Sequence, residues 1–237
     1  MFNFSTTNHY KKYPSGQGLL EATLAIGIIM VGLGALMAMT LQSTQATTVS
    51  NQQLIGQNLA REAIEVARNI RDSNWLKVGN SAPADTQWDT GLVPNDDDQA
   101  AVVVFEPPVD PDPAMFSIEF VSFDNNSREE SEITSLDETK IHLYRSSQAN
   151  GYLWQQSGSV FDNTYTDSNF RRILALDPVC QEDDGDSYVN VAKVECNGTD
   201  AKIGIRAEAR VSWPRSGLLG GSGRSSVSMV EYLYNWK

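Results

Sequence analysis

Glu21 stands at the mouth of a long uncharged run, Ala22–Leu41. A carboxylate at the edge of an apolar segment is costly, and by default it marks a function with a partner. Two cysteines, Cys180 and Cys196, bracket the stretch QEDDGDSYVNVAKVE. In an exported chain such a pair points to one disulfide; in a cytosolic chain it points to two thiols. Glu182, Asp183, Asp184 and Asp186 surround Gly185 and form the densest acidic cluster. A second acidic run, Asp96-Asp97-Asp98, has the oxygen ligands a hard cation takes. Three adjacent acids cannot all point at one ion, and the spacing is not that of an EF-hand, so the run reads as a solvated loop.

No nucleophile–base–orienter set accompanies these residues. His9 and His142 are the only histidines, too few for a His-based metal cluster or hydrolytic triad. Gly158-Ser159 and Gly221-Ser222-Gly223 lack the G-x-S-x-G pattern of a nucleophile elbow. The sequence contains no Walker-A loop, C-x-x-C or H-E-x-x-H. The chain therefore does not read as an enzyme, and no cofactor is expected from these residues. The net charge of -12 argues against nucleic-acid binding, which needs clustered Lys and Arg.

The elements that must carry Glu21 come next. Ala22–Leu41 approaches the ~20 residues a bilayer-spanning helix needs. Lys11 and Lys12 precede it, the positive-inside pattern of an N-in, C-out protein. A conventional secretory signal has a shorter apolar region closed by an A-x-A-like site; Ala35-Leu36-Met37-Ala38 is the nearest approach to one. A plain signal anchor leaves Glu21 unexplained.

The stretch Gly16-Gln17-Gly18-Leu19-Leu20-Glu21 resembles the cleavage motif of type IV pilins and type II secretion pseudopilins. The resemblance implies a leader, Met1–Gly16, removed by a membrane-embedded prepilin peptidase that also methylates the new N-terminus. Gln17 becomes the first mature residue and Glu21 the fifth. The family usually places Phe or Met where this chain has Gln17. The resemblance also implies partners: other pilin subunits, met through the N-terminal helix, and an inner-membrane assembly platform. In a filament the Glu21 carboxylate would face the N-terminal amine of a neighbour. Either charge alone in an apolar bundle is very unfavourable; paired, they set register. The expectation also places Glu21 in the first helical turn, where the dipole favours an anion.

Ile55, Leu59, Ala63, Val66 and Ile70 recur at helical spacing beyond the apolar run, predicting an amphipathic continuation. Arg61, Glu62, Glu65, Arg68 and Arg71 read as its solvated face. With no proline in between, one helix is expected from Gln17 to about Asn74, roughly 80–90 Å long, with Trp75 packing into a head. Gly27, Gly32, Gly34 and Gly56 lie within it; Gly32 and Gly34 permit close packing or local unwinding, or reflect the glycine enrichment of membrane helices. LAREAIEVARNIRDSNW, Leu59–Trp75, resembles pilin-like proteins of minimal-genome bacterial lineages.

Val78–Asp98 reads as a loop. Strands are expected at Ala101–Phe105, Phe116–Phe123, Lys140–Arg145, Tyr152–Gln155 and Phe170–Leu176. A long C-terminal hairpin is expected from Ile203–Trp213 and Ser225–Trp236. The fold class is α+β, a long N-terminal helix packed on a C-terminal antiparallel head. Its organisation is leader 1–16, helix 17–76 (about 19–41 in membrane or filament core) and head 77–237. Some pseudopilins bind calcium in the head, so the resemblance makes Asp183, Asp184 and Asp186 candidate Ca²⁺ ligands; a solvated acidic loop is the alternative. Outside the cytoplasm, Cys180 and Cys196 close a loop worth ~3 kcal/mol.

The function expected is thus a structural subunit, a minor pilin or pseudopilin, in a pilus or secretion pseudopilus. Before assembly it is a single-pass membrane protein; afterwards it lies at the cell surface or in a periplasmic pseudopilus. The alternative is an uncleaved, signal-anchored extracytoplasmic binding protein. An exported enzyme is the third reading and would need activity in the head alone.

Overall fold

A computed structural model describes residues 17–78, 87–94, 99–106, 115–122, 138–148, 151–156, 165–183, 188–192, 196, 201–215 and 223–235. The architecture is α+β, with one long N-terminal helix and an antiparallel sheet. Chain contacts divide it into two compact units, residues 1–48 and 49–237.

Helix α1, Gln17–Val78, runs through the boundary between the units. Ala, Leu, Met, Gln and Glu are frequent in it, and all propagate a helix well. In the first unit its apolar side chains are exposed, among them Leu24, Ile28, Val31 and Leu36. The stretch is long and apolar enough to cross a membrane. Its threonines bond to their own helix. Thr23 Oγ1 donates to the Leu20 carbonyl and Thr40 Oγ1 to that of Leu36, each at 2.9 Å. A hydroxyl satisfied in this way needs no water, which suits it to an apolar surrounding.

In the second unit, the rest of α1 lies on the sheet. Leu59, Ala60, Ala63, Ile64 and Ala67 are buried in one cluster with Leu174, Leu176, Ile205, Ala207 and Ala209. The small residues on both layers let helix and strands approach closely. Strand β5, Tyr165–Asp183, is the spine of the sheet. The hairpin β1, Gln99–Glu106, with β2, Met115–Ser122, joins it through Ala101 and Leu174. A short helix α2, Glu138–Ile141, leads to the hairpin β3, His142–Gln148, and β4, Gly151–Gln156, with β3 on the first part of β5. Strand β6, Tyr188–Ala192, pairs with its last part. Strand β7, Ala201–Pro214, runs along it from Arg171 to Gln181, and β8, Arg224–Tyr234, pairs with β7. All of these pairings are antiparallel.

Three expectations are revised. Strand β5 is much longer than Phe170–Leu176. The strand runs through Asp167, Ser168 and Asn169, with Asn169 at φ 63°. An asparagine tolerates that region better than most residues. Pro178 also lies within β5, beside a register shift at Val179/Cys180. Strand β6 was not expected at all. Within the loop expected at Val78–Asp98, Trp88 and Leu92 are fully buried. Gly91, at φ +78°, makes the turn between them.

Candidate functional site

Glu21 is exposed on α1, between Leu20 and Leu24, which are exposed too. Helix α1 is described from Gln17, and the first turn from there holds no acid; Glu21 follows it. Gly16 lies outside the described residues, and Gln17 is the first residue of α1. Gly18, Gly27, Gly32 and Gly34 have open space where a Cβ would stand.

The second half of α1 is seated in the head by packing and by charge. At Gly56 the helix and the C-terminal hairpin pack closely. A Cβ there would lie 2.6 Å from Trp213 Cζ3 and 3.2 Å from Val227 Cγ1. Trp213 is held in turn by Phe170, with ring centroids 5.6 Å apart, and Phe170 meets Trp154 edge-on.

Arg172 of β5 points under the helix and is 2% exposed. Its Nη1 donates to the Leu59 carbonyl and to Glu62 Oε1, each at 3.1 Å. Its Nε donates to Gln156 Oε1 at 2.7 Å. Gln156 Nε2 donates to the carbonyls of Arg172 and Ile141, and Gln156 Oε1 accepts from Val103 N at 3.4 Å. One buried arginine and one buried glutamine thus connect α1, α2, β1, β4 and β5. Burial pushes the Arg172 pKa down, while Glu62 opposes the shift.

The charged face of α1 is therefore not simply solvated. Glu62 is the partner of the buried Arg172, not a free surface acid. Arg68 bonds Glu65 on its own helix, as expected of neighbours at that spacing, and also Glu231 of β8. Those two carboxylates raise the Arg68 pKa. Arg71 Nη1 reaches the Tyr234 carbonyl at 3.5 Å. Beyond them, Asn74 Nδ2 donates to the carbonyls of Trp88, at 3.2 Å, and Thr90, at 2.8 Å. Asp89 pairs with Lys202 of β7. Trp75 packs against the core, as read from sequence.

The far face of the sheet carries a ladder of charges. Arg206 Nη1 meets Asp177 Oδ2 at 3.1 Å, and Arg206 Nη2 meets Glu208 Oε2 at 2.5 Å. Burial alone would raise the Glu208 pKa; its bonds to Arg206 and Arg210 outweigh it and hold the carboxyl below its usual range.

Cys180 and Cys196 are joined in a disulfide. Cys180 lies in β5 opposite Val191 of β6, so the bridge fastens the β5–β6 hairpin. Asp183 ends β5 opposite Tyr188; Asp184 and Asp186 lie outside the described residues. Among the described residues, no cluster of three or more His, Cys, Asp or Glu side chains is arranged to hold a metal.

A groove of about 720 Å³ lies between α1 and β2. Glu62, Val66, Ile70 and Asn74 line one side, and the consecutive residues Met115–Ile118 the other. Successive strand residues point to opposite faces, so a groove touching four in a row runs along the edge of β2. The groove, the charge ladder and the buried arginine were not read from the sequence; alternation in β2 and β7 was the signal available for them. Compared with known proteins, the chain matches no family model, no curated protein and no solved structure.

Proposed function

We propose that this chain is a filament subunit of the type IV pilin or pseudopilin kind. Prepilin peptidase cuts after Gly16, Gln17 becomes the N-terminus, and the membrane holds the chain N-in, C-out until assembly. The apolar helix then leaves the lipid for contacts with other subunits, delivered by an inner-membrane assembly platform. The observation that carries this reading is the sequence Gly16–Glu21 opening a helix whose apolar side chains are unburied. Such a surface needs lipid or other helices around it. In that surrounding the Glu21 carboxylate requires a cation, and the amine of a neighbouring Gln17 supplies one.

The seat in the head supports the same reading. A subunit pulled from a bilayer transmits force through its helix, and Arg172, Arg68, Asn74 and Gly56 fasten that helix to the sheet. The length of the head, residues 77–237, suits a minor or specialised subunit.

Gln17, where the resembling family favours Phe or Met, favours a second reading: an uncleaved signal-anchored protein whose head binds a ligand outside the cytoplasm. Glu21→Ala separates the two. The filament reading expects Glu21→Ala to be cleaved normally but to be missing from sheared filaments when co-expressed with the native chain. Incorporation equal to the native chain contradicts it.

A further inference from the structure

Between the apolar run that ends at Leu41 and the part of α1 that lies on the sheet comes a stretch of a third kind, residues 42–54, QSTQATTVSNQQL. It is too polar for the hydrocarbon of a bilayer. Its side chains are absent from the core of the head, which α1 joins at Ile55 and Gly56. The division between the two compact units falls inside it, after Thr48. Neither lipid nor sheet therefore holds this length of α1, and its helix rests on local forces.

Those local forces are weak. Seven of the thirteen residues are Ser, Thr, Val or Asn, which propagate a helix less well than Ala, Leu or Gln. No charged residue stands between Glu21 and Arg61, so no ion pair one turn apart supports it. The threonines also compete for its carbonyls. Thr44 Oγ1 donates to the Thr40 carbonyl at 2.9 Å, Thr47 Oγ1 to that of Ser43 at 3.0 Å, and Thr48 Oγ1 to that of Thr44 at 3.1 Å. In an α-helix each of those carbonyls is also the acceptor for the amide of the same threonine. Hydroxyls bonded in this way weaken and bend a helix. A helix of about this length is marginal in water on its own; here the flanks on both sides sustain it.

We infer that residues 42–54 are a hinge: α1 opens locally there, and the apolar half changes direction while the head stays folded. The flanks cannot absorb such a change. Bending beyond Ile55 would unseat Gly56 from Trp213 and the Leu59 carbonyl from Arg172. Unwinding at Gly32 or Gly34 would free amides in lipid, where no water takes them. In residues 42–54 water can take every amide that opens. The inference deepens the filament reading, in which the apolar half exchanges lipid for other helices, and its assembly arm rests on that reading.

Hydrogen–deuterium exchange of the full-length chain in detergent micelles, read by mass spectrometry, tests the opening. Amides of residues 42–54 are expected to exchange about tenfold faster, or more, than those of residues 22–41 and 57–70. The triple variant Thr44→Ala, Thr47→Ala, Thr48→Ala removes the competing hydroxyls and is expected to slow that exchange by about tenfold, with the melting temperature of the head unchanged. Adding Ala46→Gly is expected to restore it. Co-expressed with the native chain and the assembly machinery, the triple variant is expected to be depleted several-fold from sheared filaments, and Ala46→Gly to bring it back. Protection of residues 42–54 equal to that of the flanks, fast exchange centred on Gly32 and Gly34, or exchange indifferent to the triple variant would overturn the hinge. So would a triple variant that exchanges slowly yet enters filaments as well as the native chain, or one whose depletion persists after Ala46→Gly has restored exchange. Chains that retain residues 1–16 would refute the filament reading, while exchange in the same chains still decides whether α1 opens.

Discussion

Arg172 illustrates how one residue can hold a helix to a sheet. It is buried with its charge, and its partners are a carbonyl, a glutamine and the half-exposed Glu62. Truncating it leaves Gln156, Leu59 and Glu62 facing a cavity. Breaking one side of a buried charged network costs about 3–5 kcal/mol, so Arg172→Ala is expected to unfold the head at markedly lower denaturant. Glu62→Gln keeps a hydrogen-bond acceptor at a site 35% exposed and leaves no cavity, but it takes the carboxylate from a buried guanidinium; it is expected to destabilise the head too, by less than the truncation. Tryptophan fluorescence during urea titration of the full chain in detergent measures both. Equal, small effects would show that the network does not fasten α1. Nothing in the sequence announces Arg172. It adjoins Arg171 in a stretch that reads as an ordinary strand, and only β5 pairing with β7 decides which of the two faces the helix.

At the scale of elements, the glycines of α1 separate two jobs. Gly56 sits under Trp213 with no room for a methyl group, whereas Gly32 and Gly34 have open space around them. Gly56→Ala must displace a tryptophan ring, and overpacking of this kind costs about 1–3 kcal/mol. Gly32→Ala is expected to leave head stability unchanged and to favour the helix by up to ~1 kcal/mol. Thermal unfolding of the two variants, compared side by side, gives the contrast; a Gly56→Ala melt equal to the native one would show that helix and hairpin are not closely packed. The helix and the C-terminal hairpin were legible because their periodicities, 3.6 and 2, run on for many residues. Strand β6 was not, since YVNVA is short and sits beside an acidic loop. The Trp88–Leu92 turn was hidden by the Gly-, Pro- and Asp-rich residues around it. Their composition signals a loop, and says nothing about two apolar side chains in it reaching the core.

For the molecule as a whole, the two units follow opposite surface chemistry. Residues 17–48 expose Leu, Ile, Met and Val and carry one charge, Glu21, while the chain as a whole has a net charge of -12. A helix surface of this kind is stable in a bilayer or among like helices, and Glu21 is tolerable there when a cation meets it. The apolar run, its length and its lone acid were all visible in sequence because they depend on composition along one helix. How the head fastens that helix depends on contacts between residues far apart in the chain, which no local pattern encodes. The most direct test of the central claim is N-terminal mass spectrometry of the protein purified from membranes that also contain its prepilin peptidase. A mature chain that begins at Gln17, with or without a methyl group, is the predicted result. A chain that still carries Met1–Gly16 would contradict the account and leave a signal-anchored surface protein in its place.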